Sequence, residues 1–385
     1  MGTTESTQSW NDRMAIRGRR WLPLVTLVAV CLSGARRVEA QQNPHGVLPI
    51  AGSPDPFLLL LHDSLVHSEL KLTPSKRDEL RLLCDELDPG LWRTRNQQPA
   101  AATKIRKELK RKADARLAEI LSPEQRLRLT EIERRTIGIS VLLREDMQEV
   151  LQLSDTQRSS IGRILRETQA SVETASAKVK KGTSRAEVET EVQELHAQSQ
   201  AKVIAELSET QMTALRKALG ARIDVAGLGK IRLRAPEFPA SSRQEVAWIN
   251  SEPQKLSDLQ GDVVVVFVWT HSCINCIHNY PWYLGWQEDF TSRGVKIIGV
   301  HTPELESDRD LEAIRRKTKE TGFEFPVVVD NDREIWNAWG NSMWPSTYVI
   351  DRQGYVRAWW LGELNWEGQK GEQLLRKKIE ELLDE

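Results

Sequence analysis

The sequence predicts an α + α/β architecture: N-terminal helical hairpin repeats followed by an α/β domain with a mixed sheet. Three observations carry this. Ten of the 13 tryptophans lie at or after Trp248, while the preceding segment is rich in Leu, Arg, Gln and Glu. That first segment repeats one helix-start pattern four times. The second alternates β-branched apolar runs with helical stretches, as a sheet covered on both sides requires.

The chain has 385 residues, with 54 Lys plus Arg against 55 Asp plus Glu and a formal net charge of -1. This balance gives no general attraction to nucleic acid or to an anionic membrane. A charged fraction of 28% and a mean hydropathy of -0.47 describe a water-exposed chain. At the N-terminus, Arg13, Arg17, Arg19 and Arg20 precede an apolar run from Trp21 to Leu32, and Val38-Glu39-Ala40 offers a cleavage site before Gln41. This order is that of a secretory signal over 1–40. Its apolar run is about 12 residues, short of the ~20 needed to span a bilayer. The expectation is an extracytoplasmic protein, periplasmic or secreted, with no stable membrane span after cleavage. Retention as an anchor is the alternative. Cys84, Cys273 and Cys276 then remain in an oxidising compartment.

After a linker over 41–56, a helical domain is expected over 57–225, in two units of about 57–136 and 141–220. Its helix starts are Leu72-Thr73-Pro74-Ser75, Leu121-Ser122-Pro123-Glu124-Gln125, Leu153-Ser154-Asp155-Thr156-Gln157 and Leu207-Ser208-Glu209-Thr210-Gln211. Corresponding starts recur after about 80 residues, the mark of a duplicated unit. Ser122, Ser154 and Ser208 can each cap a helix, with Gln125, Gln157 and Gln211 reaching back to the cap's N–H. Lys76 takes the reciprocal position in the first copy, so Thr73 caps alone. Apolar residues recur at helical spacing, as at Leu80, Leu83, Cys84 and Leu87. Cys84 therefore reads as a buried, inert thiol. The basic stretch from Lys104 to Lys112 reads as a solvated helix face. These starts resemble the Leu-Thr-x-x-Gln repeats of exported Spy/CpxP-type helical proteins. The resemblance implies client binding or sensing; capping and periodicity alone imply a spacer or an oligomerising, coiled-coil-like scaffold.

A Gly- and Pro-containing linker is expected over 226–244. Beyond it, over 245–385, Val263 to Trp269 reads as a strand buried on both faces. Cys273-Ile274-Asn275-Cys276 follows where that strand hands over to a helix. Unpaired N–H groups and the positive end of the helix dipole favour a thiolate there. Cys273 is expected to be the nucleophile and Cys276 the resolving thiol, with His271 tuning the pair. Strands are expected at 295–300, 325–329, 347–350 and 355–361, and helices at 308–321 and 374–383, with a short helix behind Asp330.

The C-terminal region resembles the thioredoxin-like TlpA/DipZ family through an ordered set of motifs: Trp248-Ile249-Asn250-Ser251, Leu256-Ser257-Asp258-Leu259-Gln260-Gly261, Trp269-Thr270, Ser272-Cys273-Ile274-Asn275-Cys276-Ile277, Gly299-Val300-His301-Thr302-Pro303-Glu304, Asp330-Asn331-Asp332, Trp336-Asn337-Ala338 and Trp344-Pro345. The resemblance implies a thioredoxin-like fold and a redox-active disulfide between Cys273 and Cys276. It also implies a cis Pro345 facing the cysteines, with the Trp344 backbone left to pair with an extended substrate. Trp269 and Trp344 are expected to border the site. One departure stands out: family members often carry a buried carboxylate six positions before the first cysteine, and here that residue is Phe267. The proton of Cys276 must then pass to water, His271 or Glu304.

The function so implied is an exported thiol–disulfide oxidoreductase acting on protein disulfides, with a thiol–disulfide partner and no cofactor. The alternative is a helical client-binding or scaffold protein whose C-terminal domain is redox-inert. His271, Cys273, Cys276 and His278 also spell a rival zinc or copper set, but structural zinc sites usually draw on separated pairs, so no metal is expected. Ile277 after Cys276 excludes haem attachment.

Overall fold

The computed structural model describes residues 42–43, 46, 48–50, 53, 55–179, 182–238 and 247–385. The expected signal at 1–40 lies outside them, as do parts of both expected linkers. No helix among the described residues is long and apolar enough to cross a membrane.

Two short strands come first, β1 (Gln42–Asn43) and β2 (Leu48–Pro49). Helices follow: α1 (Phe57–Leu60), α2 (Ser64–Glu69), α3 (Pro74–Arg93), α4 (Pro99–Ile120), α5 (Pro123–Ile137), α6 (Glu145–Val150), α7 (Asp155–Ala177), α8 (Arg185–Ala205) and α9 (Glu209–Leu219). Their starts follow the capping logic. The Thr73 hydroxyl accepts from the Lys76 N–H. Ser154 with Gln157 and Ser208 with Gln211 form complete capping boxes. A further box, Ser184 with Glu187, opens α8; it lacks the preceding Leu of the repeated pattern. The side-chain amides of Gln157 and Gln211 also bond each other reciprocally at 2.9 Å, tying two repeat starts together.

The chain divides into two compact units that interleave in sequence. Among the described residues, the first holds α1, α2 and α5 to α9. Its core gathers Met147, Leu153, Ile161, Val203, Met212 and Leu215. The second holds 71–122 together with 230–385. The expected boundary at residue 225 therefore differs from the observed division: the α3–α4 hairpin belongs with the C-terminal domain. The physical reason is aromatic. Trp92, near the end of α3, is 1% exposed, and its ring lies edge-on to Trp359 at 5.0 Å and to Tyr348 at 6.0 Å.

The second unit continues with β3 (Lys230–Ile231), β4 (Trp248–Ile249), β5 (Val263–Trp269), α10 (Ile274–Phe290), β6 (Val295–His301), α11 (Leu311–Thr321), β7 (Val327–Val329), α12 (Glu334–Ala338), β8 (Ser346–Ile350), β9 (Val356–Leu361) and α13 (Gly371–Asp384). The sheet order is β1-β9-β8-β5-β6-β7-β4. β5, β6 and β7 run parallel, and the remaining pairs are antiparallel, so the sheet is mixed as expected. Every residue of β5 is buried. Val265, Phe267 and Trp269 share one core with residues of α10 and α13, among them Tyr283, Trp286 and Ile379. Tyr348 and Trp359, which meet Trp92, lie outside that core. Side chains alternate between faces along a strand, so the α3–α4 hairpin covers the opposite face.

Candidate active site

β5 ends at Trp269, and Thr270-His271-Ser272 turns the chain into α10, whose N-cap residue is Cys273. The Cys273 sulfur accepts the Cys276 backbone N–H at 3.3 Å, so the thiol caps the helix as an Asp or Ser would. Cys273 is 8% exposed and Cys276 0%, and neither is bridged. The two differ sharply in acidity. The hydrogen bond from the Cys276 thiol brings Cys273 down to about 7, against its partial burial and the charge of Glu304; the backbone N–H groups of Cys276 and Asn275 assist. Burial drives Cys276 well above its ordinary value, and the Cys273 sulfur and Glu304 push it the same way.

The position of the usual family carboxylate is filled by aromatic packing. Phe267 stacks on Tyr283 with centroids 4.0 Å apart and meets Phe323 and Phe325 edge-on. The polar groups at that depth are engaged with one another: the Tyr283 hydroxyl lies 2.9 Å from Thr347 Oγ1 and accepts from Asn279 Nδ2.

Beside the thiols lies a cluster that the sequence did not disclose as a unit. The parallel register of β5 and β6 pairs Trp269 with His301. His301 Nε2 is 3.2 Å from His271 Nδ1, and it accepts the His271 backbone N–H at 3.2 Å. Burial, followed by the charge of His271, holds His301 down to about 3, so it is neutral at physiological pH. His271 Nε2 faces the buried Asp308 Oδ1 at 3.6 Å. Burial works to raise Asp308, yet the N–H groups of Leu305 and Glu304 and the hydroxyls of Ser272 and Thr270 bring it below its ordinary value. His271, expected near the thiols, is thus accompanied by His301 and Asp308, about thirty or more positions downstream, which no local spacing links to it. His278 turns elsewhere, with Nδ1 3.1 Å from Glu363 Oε2, whereas His271 faces Asp308 and the two cysteines hydrogen-bond each other.

The Trp344–Pro345 bond is cis. The Trp344 indole stacks on Trp336 at 4.0 Å and donates to the Thr302 carbonyl at 3.0 Å. Among the described residues the Trp344 backbone N–H and C=O make no hydrogen bond. Burial raises Asp330 to about 6; its carboxylate accepts from the Ile335 and Trp336 N–H groups and the Thr302 hydroxyl, fixing the start of α12. Glu304 is exposed, and so are its neighbour Leu305 and Ile274 beside Cys273. Trp269 departs from expectation. Its side chain is 0% exposed, packed edge-on against Tyr280, His301 and Phe323. It supports the site from below, because the register that aligns it with His301 turns its ring into the core.

Residues 231–359 match the AhpC/TSA family. The C-terminal region is an AhpC/TSA-type, thioredoxin-like domain. The chain is similar to Protein DipZ of Mycobacterium tuberculosis, 34% identical over 119 residues, covering 30% of this chain and 17% of that protein. It is similar to thiol-disulfide oxidoreductase ResA of Bacillus subtilis, 33% identical over 107 residues, covering 28% of this chain and 57% of ResA. A solved thiol-disulfide isomerase from Corynebacterium glutamicum is 28% identical with a TM-score of 0.34, covering 39% of this chain and 97% of that structure. The chain thus spans 17% of the length of DipZ.

Proposed function

We propose that the protein is an exported thiol–disulfide oxidoreductase acting on protein disulfides. The observation that carries this is the asymmetry of the two thiols: Cys273 at a helix start with its acidity raised to about 7, and Cys276 buried with its proton held. The name of ResA supports the same chemistry.

In the reductive direction, the Cys273 thiolate attacks one sulfur of a substrate disulfide. The S–S bond breaks, a mixed disulfide forms, and the departing substrate thiolate takes a proton. Cys276 then loses its proton and attacks the Cys273 sulfur, releasing the second substrate thiol. The substrate has gained two electrons, and the protein holds a Cys273–Cys276 disulfide that a dithiol partner reduces. The reverse direction traverses the same mixed disulfide, and the potentials of the partners set which prevails. With Phe267 in place of a carboxylate, the Cys276 proton leaves toward solvent, His271 or Glu304. Trp344 and Pro345 form the substrate edge, where the Trp344 backbone pairs with an extended segment. Export rests on the basic and apolar pattern of 1–40. The helical unit recruits clients or assembles copies of the chain.

Insulin reduction with dithiothreitol as electron source tests this. Wild-type protein is expected to accelerate it, Cys273→Ser to abolish the acceleration, and Cys276→Ser to accumulate the mixed disulfide seen by mass spectrometry. Acceleration that survives Cys273→Ser would sink the proposal.

A further inference from the structure

We infer that the tip of the α3–α4 hairpin is a positioning element for the substrate loop, setting how tightly an extended protein disulfide is held. This rests on the redox reading above and adds a region with no part in it. Residues 92–96 seize the loop that leads into Trp344-Pro345. The Trp92 indole N–H donates to the Trp339 carbonyl at 3.0 Å. Arg95 Nη2 donates to the same carbonyl at 3.3 Å. The Asn96 amide donates to the Gly340 carbonyl at 2.6 Å. Gly340 has a φ of +60°, and a Cβ there would stand 3.0 Å from the Arg93 carbonyl oxygen, so loop and hairpin backbones touch at a point only glycine allows.

The other shoulder of the loop is tied to the same place. Tyr348, which follows Pro345 on β8, donates its hydroxyl to Asn341 Oδ1 at 2.5 Å. Its ring packs with Trp92 and Trp339. The Arg95 guanidinium lies 3.6 Å from the Trp92 ring centroid and 4.8 Å from that of Trp359. The far end of the loop is pinned by the Trp344 indole on Thr302. A loop held at both shoulders and at its tip presents the unbonded Trp344 backbone in one pose, so the ordering is done before substrate arrives and does not weaken binding.

Among the described residues, none of the hydrogen bonds or ring contacts of Trp92, Arg95 and Asn96 named above involves Cys273 or Cys276. Removal of this clamp should therefore weaken capture of an extended substrate and leave thiol chemistry alone. Full-length Trp92→Phe, Asn96→Ala and Asn96→Asp are the variants: the first keeps an aromatic ring but loses the indole N–H, and the last keeps the shape of Asn96 but loses its N–H. The substrates are insulin and hydroxyethyl disulfide, which has no backbone to pair, both with dithiothreitol as reductant. Losing one of the two donors to the Trp339 carbonyl and the Asn96 donor to the Gly340 carbonyl should raise KM for insulin by about tenfold in the Trp92→Phe/Asn96→Ala double variant. The kcat, the rate on hydroxyethyl disulfide and the pH midpoint of Cys273 alkylation should be unchanged, and Asn96→Asp should match or exceed Asn96→Ala. An unchanged KM for insulin in folded variants, or an equal loss on both substrates, would overturn the positioning role while leaving the redox reading intact. A wild-type protein without exchange activity on either substrate would overturn both.

Discussion

The two long hairpins of this chain begin alike and end in different company. The α3–α4 pair starts at a capping Thr73 and the α7–α8 pair at a capping Ser154, and both carry an apolar stripe at helical spacing. The second buries small and β-branched residues between its own helices, Val172 and Ala175 on one and Val188 and Val192 on the other, with a Thr168–Ser199 hydroxyl bond between them. The first also packs helix on helix, so closely that a Cβ at Gly90 would stand 2.8 Å from the Leu109 side chain. Its outer end, however, carries Trp92, Arg95 and Asn96. An indole and a guanidinium need large apolar faces and backbone acceptors, and the sheet face around Tyr348 and Trp359 supplies them. Capping and periodicity made both hairpins, and a few tip residues decided which neighbour one of them took.

The sharpest way to break this comparison is Trp92→Ala, which should cost ~3–5 kcal/mol as the emptied site fails to collapse; urea unfolding followed by tryptophan fluorescence reads it. If the loss is under about 1 kcal/mol, the aromatic contact is not what binds the hairpin to the domain. In the other hairpin, Ile161→Ala should cost ~2–5 kcal/mol in its own unit and leave insulin reduction at the wild-type rate, since Ile161 lies in the unit without Cys273 and Cys276. Removing a cap is smaller: Ser208→Ala should cost ~1 kcal/mol, seen as a modest fall in Tm.

The smallest expected effect is none. The lowered pKa of Cys273 comes from Cys276 and the start of α10, so neither Ile161→Ala nor Ser208→Ala should move it. The rate of iodoacetamide alkylation should rise with pH through a midpoint of about 7 and level off above it, because the thiolate reacts and the thiol does not. An unfolded cysteine would show its midpoint near ~8.5. A midpoint that high in the folded protein would mean that Cys276 and the start of α10 do not acidify Cys273.

Much of this was legible locally. β5 was recoverable to the residue from its unbroken apolar run, the helix starts from their capping residues, and Cys273 from its place where strand becomes helix. Each depends on neighbours in the chain, through backbone preference and side-chain reach of a few residues. Three features depended on tertiary structure. His301 and Asp308 joined His271 because β5 and β6 pair in parallel, a register that no spacing records. Trp269 turned inward because that same register set its face. The α3–α4 hairpin stands with the sheet and not with the other helices because burial of Trp92 required a partner more than two hundred residues away. Local chemistry fixed which elements form and where a thiol ionises; only three-dimensional packing, in which distant apolar and polar surfaces compete for one another, chose what those elements stand beside.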